Sequence, residues 1–176
     1  MKTPTITTER LILRPFVEAD AGPLTRILNE TDILRYFPNP DPPPLERVQR
    51  LVARQIAHWD EHGFGWWAVE PRQPPGGQEL IGWNGLQFLP ETGEIEVGYL
   101  LSEAHWRKGF ATEGGLASLQ FGFGALGLES IIDIVHPDNK ASKRVIEKLG
   151  MSLIDRNNYF GMDCLRYILD RHDYHP

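Results

Sequence analysis

The sequence of 176 residues has little cysteine and no long apolar segment. Its one cysteine, Cys164, cannot form a disulfide within the chain, which is typical of a reducing compartment. No apolar run approaches the roughly 20 residues of a membrane-spanning helix. The first residues also lack the pattern of a signal or transit segment. These absences favour a cytoplasmic location and no membrane partner.

Basic residues are not in excess, since the chain has 18 Lys and Arg against 24 Asp and Glu. The formal net charge is −6, which argues against general binding to nucleic acid or to an anionic membrane. An acidic protein is better suited to a cationic acceptor such as an amine. The length, with 41% hydrophobic and 24% charged residues, is typical of one globular domain, here residues 1–176.

Two common phosphate-binding motifs are missing, the Walker A loop and the three-glycine dinucleotide fingerprint. One turn nevertheless carries part of their chemistry, and it reads Trp106-Arg107-Lys108-Gly109-Phe110-Ala111-Thr112-Glu113. The first N–H groups of a helix have no partner inside that helix, so they can bind an anion. Arg107 and Lys108 add positive charge at the same place. This pattern predicts a pyrophosphate-binding turn, although an ordinary basic connection is the alternative.

The hydrophobic patterns predict alternating strands and helices. Predicted strands cover residues 8–14, 64–70, 79–88, 94–101, 131–135, 151–155 and 163–169. Predicted helices cover residues 20–29, 45–62, 111–126 and 140–149, and a stiff proline-rich loop covers residues 38–44. Gly63 is expected to end the second helix and Asn139 to cap the last one, whose inner face would carry Ala141, Val145 and Leu149. The fold class is therefore a single α/β domain of the α+β type.

Three segments of the chain are similar to those of one enzyme family. They are Thr8-Glu9-Arg10-Leu11-Ile12-Leu13-Arg14-Pro15, then Glu96-Val97-Gly98-Tyr99 with the turn at 106–113, then Asn139-Lys140-Ala141-Ser142 continuing to Glu147-Lys148-Leu149-Gly150-Met151. Together they resemble the GNAT superfamily of acyl-CoA-dependent N-acetyltransferases, in particular the RimJ/RimL-like ribosomal-protein N-terminal acetyltransferases. The resemblance covers nearly the whole chain. It implies a mixed central sheet of about seven strands, with helices on both faces and a splay between the central parallel strands.

The resemblance also implies acetyl-CoA as the co-substrate. The family pattern at the turn is Gln/Arg, two residues, Gly, one residue, then Gly/Ala, and here Trp106 departs from it at the first place. Main-chain amides of the turn would hold the pyrophosphate, from Arg107, Lys108, Gly109, Phe110, Ala111 and Thr112. The pantetheine arm would be held by main-chain groups of Leu100 and Leu101, with Asn139 as a further partner.

Gly98 is the expected position of a bulge that frees the strand edge for the pantetheine arm, because glycine within a strand often marks a bulge. The alternative is that this glycine only relieves crowding under a tryptophan or tyrosine side chain.

The expected reaction is direct attack of a primary amine on the thioester in a ternary complex. A protonated amine needs a base, and Glu96 is the first candidate, with Glu94 in reserve. Both could instead be solvated strand residues. The family tyrosine seven residues after Asn139 is replaced by Ile146, so Ser142 is predicted to protonate the thiolate or to line the coenzyme site. No metal is expected, because the histidines lack a ligand spacing.

The acceptor is not identified by the sequence. A peptide N-terminus fits the RimJ/RimL-like branch, and small-molecule amines fit other branches. The regions that would decide the acceptor are the proline-rich loop, the helix after it and the hairpin at 157–161, and the alternative for the hairpin is an ordinary surface turn. Trp66, Trp67 and Trp83 are predicted to be core residues or walls of the acceptor pocket. A homodimer is common in this fold. A non-catalytic acyl-CoA sensor and a phosphate-binding protein unrelated to coenzyme A are the alternative functions.

Overall fold

The computed structural model describes residues 3–73 and 79–175 of the chain. The predicted domain also includes residues 1–2, 74–78 and 176, which lie outside the described residues. The strands are β1 (Ile6–Thr7), β2 (Leu11–Arg14), β3 (Trp66–Pro71), β4 (Gly82–Leu89), β5 (Glu94–Leu101), β6 (Ser130–Val135), β7 (Ser152–Tyr159) and β8 (Met162–Asp170). The helices are α1 (Ala21–Leu28), α2 (Leu45–His62), α3 (Phe110–Gln120) and α4 (Lys140–Lys148), and α3 continues as a π-helical turn, Phe121–Ala125.

The strands form one mixed sheet in the order β1-β2-β3-β4-β5-β6-β8-β7. The sequence predicted about seven strands, and the additional one is the short β1. Only β5 and β6 run parallel, and within the described residues they pair at one register position, Glu96 with Ile132. The expected splay between the central parallel strands is therefore confirmed, and we call the space between them the gap.

Gly98 does not form a bulge. Strands β4 and β5 pair without a register shift along their length, and Gly98 lies opposite Gly85. A Cβ atom built on Gly98 would lie 3.2 Å from the ring of Trp83. The bulge prediction is therefore wrong, and the glycine instead makes room for the indole, as the alternative interpretation stated.

Helices cover both faces of the sheet and enclose two separate apolar clusters. On one face, α3 and α4 pack against Val97 and Leu101 of β5. On the other face, α1 and α2 pack against Trp83 and Leu100. Because successive residues of a strand point to opposite faces, β5 is the wall between the two sides.

The ends of two helices follow the sequence prediction. Helix α2 ends where Gly63 adopts a left-handed conformation with φ of 74°. The side chain of Asn139 accepts a hydrogen bond from the N–H of Ser142 and caps α4. Local signals of this kind act within a few residues, so the sequence alone reveals them.

The inner face of α4 differs from the prediction. Ile146 and Leu149 are buried, Val145 is partly buried and Ala141 is exposed. The Ala141 prediction is wrong because Ile146 and Leu149, three residues apart, set the buried stripe. Ile146 thus belongs to the core at the position where the family tyrosine would stand.

Candidate active site

The turn between β5 and α3 presents unpaired backbone donors. Gly109 has φ of 82°, and Arg107 has φ of 59°, which is unusual for a residue with a side chain. Within the described part of the chain, the N–H groups of residues 107–112 have no backbone acceptor. They lie at the N-terminal end of α3, where the helix dipole favours an anion. The side chains of Arg107 and Lys108 are exposed beside them.

Arg10 holds this turn in place. Its guanidinium donates to the carbonyl of Lys108 at 2.8 Å, forms an ion pair with Glu113 at 2.7 Å and lies 4.9 Å from the ring centroid of Phe110. The Thr8 hydroxyl donates to the Glu113 carboxylate at 2.6 Å. Burial alone would raise the pKa of Glu113, but these hydrogen bonds and the Arg10 charge lower it below its usual value. The segment at 8–15 and the turn at 106–113, which are separate motifs in the sequence, are therefore joined by hydrogen bonds and an ion pair.

The end of β5 determines which backbone groups face the gap. The N–H of Ser102 donates to the Ile81 carbonyl at 2.8 Å. Because N–H groups alternate in direction along a strand, the backbone of Leu100 also points to β4, and that of Leu101 points to the gap. The indole of Trp106 donates to the Leu101 carbonyl at 2.6 Å, so this departure from the family pattern fastens the end of the strand. Leu100 and Leu101 were both predicted to offer main-chain groups to the pantetheine arm, but only Leu101 presents such groups to the gap. Leu100 contributes its side chain to the α1 and α2 side of the sheet.

Glu96 extends into the gap. Its carboxylate accepts a hydrogen bond from the N–H of Ile134 on β6 at 3.2 Å. Burial raises the pKa of Glu96 to about 7, and this hydrogen bond only partly offsets the rise. The side chain keeps some contact with solvent. A carboxyl group that titrates near neutral pH can take up and release a proton under working conditions.

Glu94 has a different environment although it lies on the same strand face. Both of its carboxylate oxygens accept hydrogen bonds from Arg166, at 2.7 and 2.9 Å. An arginine bound in this way occupies lone pairs of the carboxylate that a base would need. Glu94 and Glu96 are both candidate bases in the sequence, and the structure distinguishes them by their hydrogen-bond partners.

Tyr99 and Ser142 meet on the α4 side of the gap. The Tyr99 hydroxyl lies 2.8 Å from the Ser142 Oγ and also donates to the Ser142 carbonyl at 3.2 Å. Burial, followed by the charge of Asp133, raises the pKa of Tyr99 well above its usual value, so the phenol stays protonated. Asn139, Ser142 and Tyr99 are thus adjacent. Sequence reasoning assigned no role to Tyr99, although it follows Glu96 by three residues in the motif.

Asp133 is a second residue that sequence reasoning missed. It is buried on β6, and within the described residues its Oδ2 has no hydrogen-bond partner. Burial, followed by the charge of Glu96, raises the pKa of Asp133 well above its usual value. A lone carboxyl group within the apolar run of β6 was the sequence signal that could have identified it.

A cavity of about 540 Å³ lies on the α1 and α2 side of the sheet. Its floor carries the stacked rings of Trp66 and Trp83, whose centroids are 3.7 Å apart, together with Leu100. Its rim is formed by α2 and by residues 37–43, which lie in two of the three regions that the sequence predicted to decide the acceptor. Trp67 is instead a fully buried core residue. Among the described residues that line the cavity, none belongs to the hairpin at 157–161.

One group of potential metal ligands exists among the described residues. Ligand atoms of Asp170, His172 and Asp173 lie within 4.8 Å of one another near the C-terminus. His172 and Asp173 are exposed, and exposed acidic groups are common without a metal. His58 and His62 have ring centroids 4.3 Å apart, but no third ligand joins them among the described residues.

None of the described helices combines the length and the apolar character that a membrane crossing requires.

Residues 10–152 match the family described as acetyltransferase (GNAT) domain. The chain is 32% identical over 148 residues to the uncharacterized N-acetyltransferase YoaA of Bacillus subtilis, covering 84% of this chain and 82% of that protein. The crystal structure of an acetyltransferase from Agrobacterium tumefaciens has a TM-score of 0.82 at 28% identity, covering 100% of this chain and 96% of that one. RimL, the ribosomal L7/L12 alpha-N-protein acetyltransferase in complex with coenzyme A, has the same fold with a TM-score of 0.79 at 17% identity, covering 95% and 98%.

Proposed function

The chain belongs to the GNAT family of acetyltransferases, and on that premise we propose a reaction and assign its residues. The enzyme transfers an acetyl group from acetyl-CoA to a primary amine within a ternary complex. The amine nitrogen attacks the thioester carbonyl carbon, so a C–N bond forms, the C–S bond breaks and coenzyme A leaves as its thiol. The observation that supports this most strongly is the position of Glu96, in the gap and on the same sheet face as the cavity residue Leu100.

The turn before α3 is assigned to the pyrophosphate of acetyl-CoA. Its unpaired N–H groups at residues 107–112 and the exposed cations Arg107 and Lys108 suit a doubly charged anion. The pantetheine arm follows the β5 edge at Leu101, where its amides find main-chain partners. Asn139 and Ser142 line the arm from the start of α4.

Glu96 is assigned as the base. A carboxylate with a pKa of about 7 accepts a proton from an amine near neutral pH. An α-amino group, with an ordinary pKa of roughly 8, is matched more closely than a lysine side chain at roughly 10.4. The assignment therefore favours an α-amine as the acceptor.

Protonation of the departing thiolate is assigned to Tyr99 and Ser142. The two hydroxyl groups are 2.8 Å apart and Tyr99 is held in its protonated form. Ser142 Oγ–H protonates the sulfur, the Tyr99 hydroxyl turns from the Ser142 carbonyl and passes its proton to the serine oxygen, and solvent returns a proton to Tyr99. This pair takes over the role of the family tyrosine, whose position the buried Ile146 occupies.

Two classes of acceptor fit this chemistry, a protein N-terminus and a small amine. The RimJ/RimL-like resemblance supports the first class, and RimL itself is described as an alpha-N-protein acetyltransferase. The cavity of about 540 Å³, with its apolar floor, supports the second.

Thiol release from acetyl-CoA over a panel of peptides, amino acids, polyamines and aminoglycosides tests the proposal. We expect many turnovers on one acceptor class and a large loss in the Glu96→Gln variant. The buried thiol of Cys164 is subtracted as a fixed background. Saturable binding of coenzyme A without turnover on any amine would instead identify an acyl-CoA sensor. Strong competition by ATP would favour a phosphate-binding protein unrelated to coenzyme A.

A cytoplasmic homodimer completes the proposal. The single cysteine is unpaired and buried, which suits a reducing compartment. Strand β7 lies at one edge of the sheet and exposes Leu153 and Ile154, which a second copy would cover. Sedimentation of the wild-type chain and of a Leu153→Lys variant measures whether this edge mediates association.

A further inference from the structure

Three arginines line one side of the proposed acceptor cavity in a protein that is acidic overall. Arg47, Arg50 and Arg54 line the cavity from α2, and their spacing of three and four residues places them on one helix face. Of the described residues that line the cavity, Asp41 alone carries a carboxylate. The whole chain has a net charge of −6, so the charge at this cavity is opposite to that of the protein. A local field of this sign attracts anions.

The three guanidinium groups are free to bind a ligand. All three side chains are exposed, and none has an ion pair or a side-chain hydrogen bond to another described residue. By contrast, Arg14 and Arg166 each bind two carboxylates. The planar guanidinium matches the geometry of a carboxylate or phosphate group and can bind it through two hydrogen bonds.

The floor of the same cavity is apolar. The stacked rings of Trp66 and Trp83 lie beside Leu51 and Leu100, and Phe37 lies at the rim. Such a surface binds a flat or aliphatic group through burial of apolar area. A ligand that fills this cavity therefore has an apolar body and a negatively charged group.

We infer that the acceptor is a small primary amine with an apolar body and an anionic group, either a carboxylate or a phosphate. The inference rests on the proposed acetyl transfer. The anionic group binds Arg47, Arg50 and Arg54, the apolar body lies on the tryptophans, and the amine points past Leu100 toward Glu96. The cavity volume of about 540 Å³ leaves room for a molecule of amino-acid size. The net charge of the chain, which by itself favours a cationic acceptor, is thus a poor guide to this site.

Matched pairs of acceptors test the inference. L-Phenylalanine is compared with L-phenylalaninamide, and O-phosphotyramine with tyramine, because one member of each pair lacks the anionic group. Values of kcat/KM are expressed per unprotonated amine, since a carboxamide makes the neighbouring amine less basic than a carboxylate does. We expect kcat/KM to be about 10-fold or more higher for the anionic member of at least one pair, since arginine forms charge-assisted hydrogen bonds to it. The pair with the larger ratio distinguishes a carboxylate ligand from a phosphate ligand. Turnover confined to a peptide N-terminus would overturn the inference.

A variant with Arg47→Gln, Arg50→Gln and Arg54→Gln tests the named residues. We expect this variant to lose the preference for anionic amines because its KM for the anionic amine rises. Its kinetic constants for the neutral amine and for acetyl-CoA should not change. Arg26→Gln is the matched control, because Arg26 is an exposed arginine of α1 that does not line the cavity. An equal loss in the control would overturn the inference.

Tryptophan fluorescence separates failure of the inference from failure of the proposed function. With coenzyme A present, O-phosphotyramine or L-phenylalanine is titrated against the wild type and the triple variant. Saturable binding by the wild type alone, without turnover of any amine, would support the anion site and overturn acetyl transfer. Turnover of neutral and anionic amines at equal kcat/KM, unchanged in the triple variant, would support acetyl transfer and overturn the anion site.

Discussion

The proposed coenzyme side and the proposed acceptor side of this site offer different kinds of groups to a ligand. The proposed coenzyme side consists of backbone N–H groups of one continuous turn, residues 107–112, at the start of α3. The proposed acceptor side consists of side chains from three distant segments, residues 37–43, α2 and the β3–β4 pair. A backbone site requires a particular local conformation and therefore leaves a motif in the sequence. A side-chain cavity requires only that distant residues meet, so it leaves no motif.

Strand β5 joins these two sides and contributes a different group to each. Glu96 and Leu100 point to the acceptor side, and Tyr99 points to α4 on the coenzyme side. A substitution on β5 can therefore affect one side without the other.

The largest effect is expected for Glu96→Gln. Loss of the base should lower kcat by about 100-fold or more, while the dissociation constant of coenzyme A stays unchanged. Glu94→Gln is the matched control, and it should change kcat only slightly because Glu94 is bound to Arg166. Steady-state kinetics and calorimetric titration with coenzyme A measure both quantities. If the Glu94 variant loses more activity than the Glu96 variant, the base is assigned to the wrong residue.

The second effect concerns pH. The base must be ionised, so kcat/KM should rise about tenfold per pH unit as the pH approaches 7 from below and level off above it. The raised pKa also means that the folded protein holds this proton more tightly than the unfolded chain. The contribution of Glu96 to stability is therefore present at low pH and is lost as the pH rises through about 7.

The matched control for this pH dependence is the Glu96→Gln variant. It should lack the rise in kcat/KM, and above pH 7 its melting temperature should be no lower than that of the wild type. A pH profile of kcat/KM and thermal melts at pH 5 and pH 8 measure both effects. A rise that persists in the variant would mean that another group titrates.

A smaller effect, confined to the coenzyme side, is expected for Gly109→Ala. The φ of 82° disfavours a side chain, and a Cβ atom would lie 3.2 Å from the Arg10 guanidinium. The KM for acetyl-CoA should rise by about 10-fold, as expected when one or two charge-assisted hydrogen bonds weaken, and the KM for the acceptor should not change. Gly22→Ala is the control, since nothing lies within 4 Å of its Cβ position. Equal effects on both substrates would mean that the turn does not act on the coenzyme alone.

The smallest effect is expected for Tyr99→Phe. It removes the hydroxyl bound to Ser142 and should lower kcat by about 5- to 10-fold, in the lower range of proton-transfer effects. Tyr159→Phe, which removes a hydroxyl bound to Asp155 in the hairpin, is the control. A thioester whose leaving thiol is more acidic should restore the rate of the Tyr99 variant. An unchanged deficit with that thioester would contradict a role in thiolate protonation.

Much of the fold could be predicted from the sequence because the signals are local. The hydrophobic period of α2, its end at Gly63 and the cap at Asn139 each depend on residues within one or two turns. Gly98 illustrates the limit of such reasoning. A glycine in a strand is compatible with a bulge or with a crowded neighbour, and only the position of Trp83 decides between them.

The sequence by itself determined the order of strands and helices, the family and the position of the basic turn before α3. The tertiary structure alone decided three contacts between residues that are far apart in the sequence. Arg10 binds Glu113 of this turn across 103 residues, Arg166 binds the carboxylate of Glu94 across 72 residues, and the Tyr99 hydroxyl contacts Ser142 across 43 residues. It also brought three arginines of α2 to a cavity floored by two tryptophans of neighbouring strands. The physical reason is range: backbone conformation depends on neighbouring residues, whereas the pKa of a carboxyl group and the charge of a cavity depend on whatever the fold brings beside them.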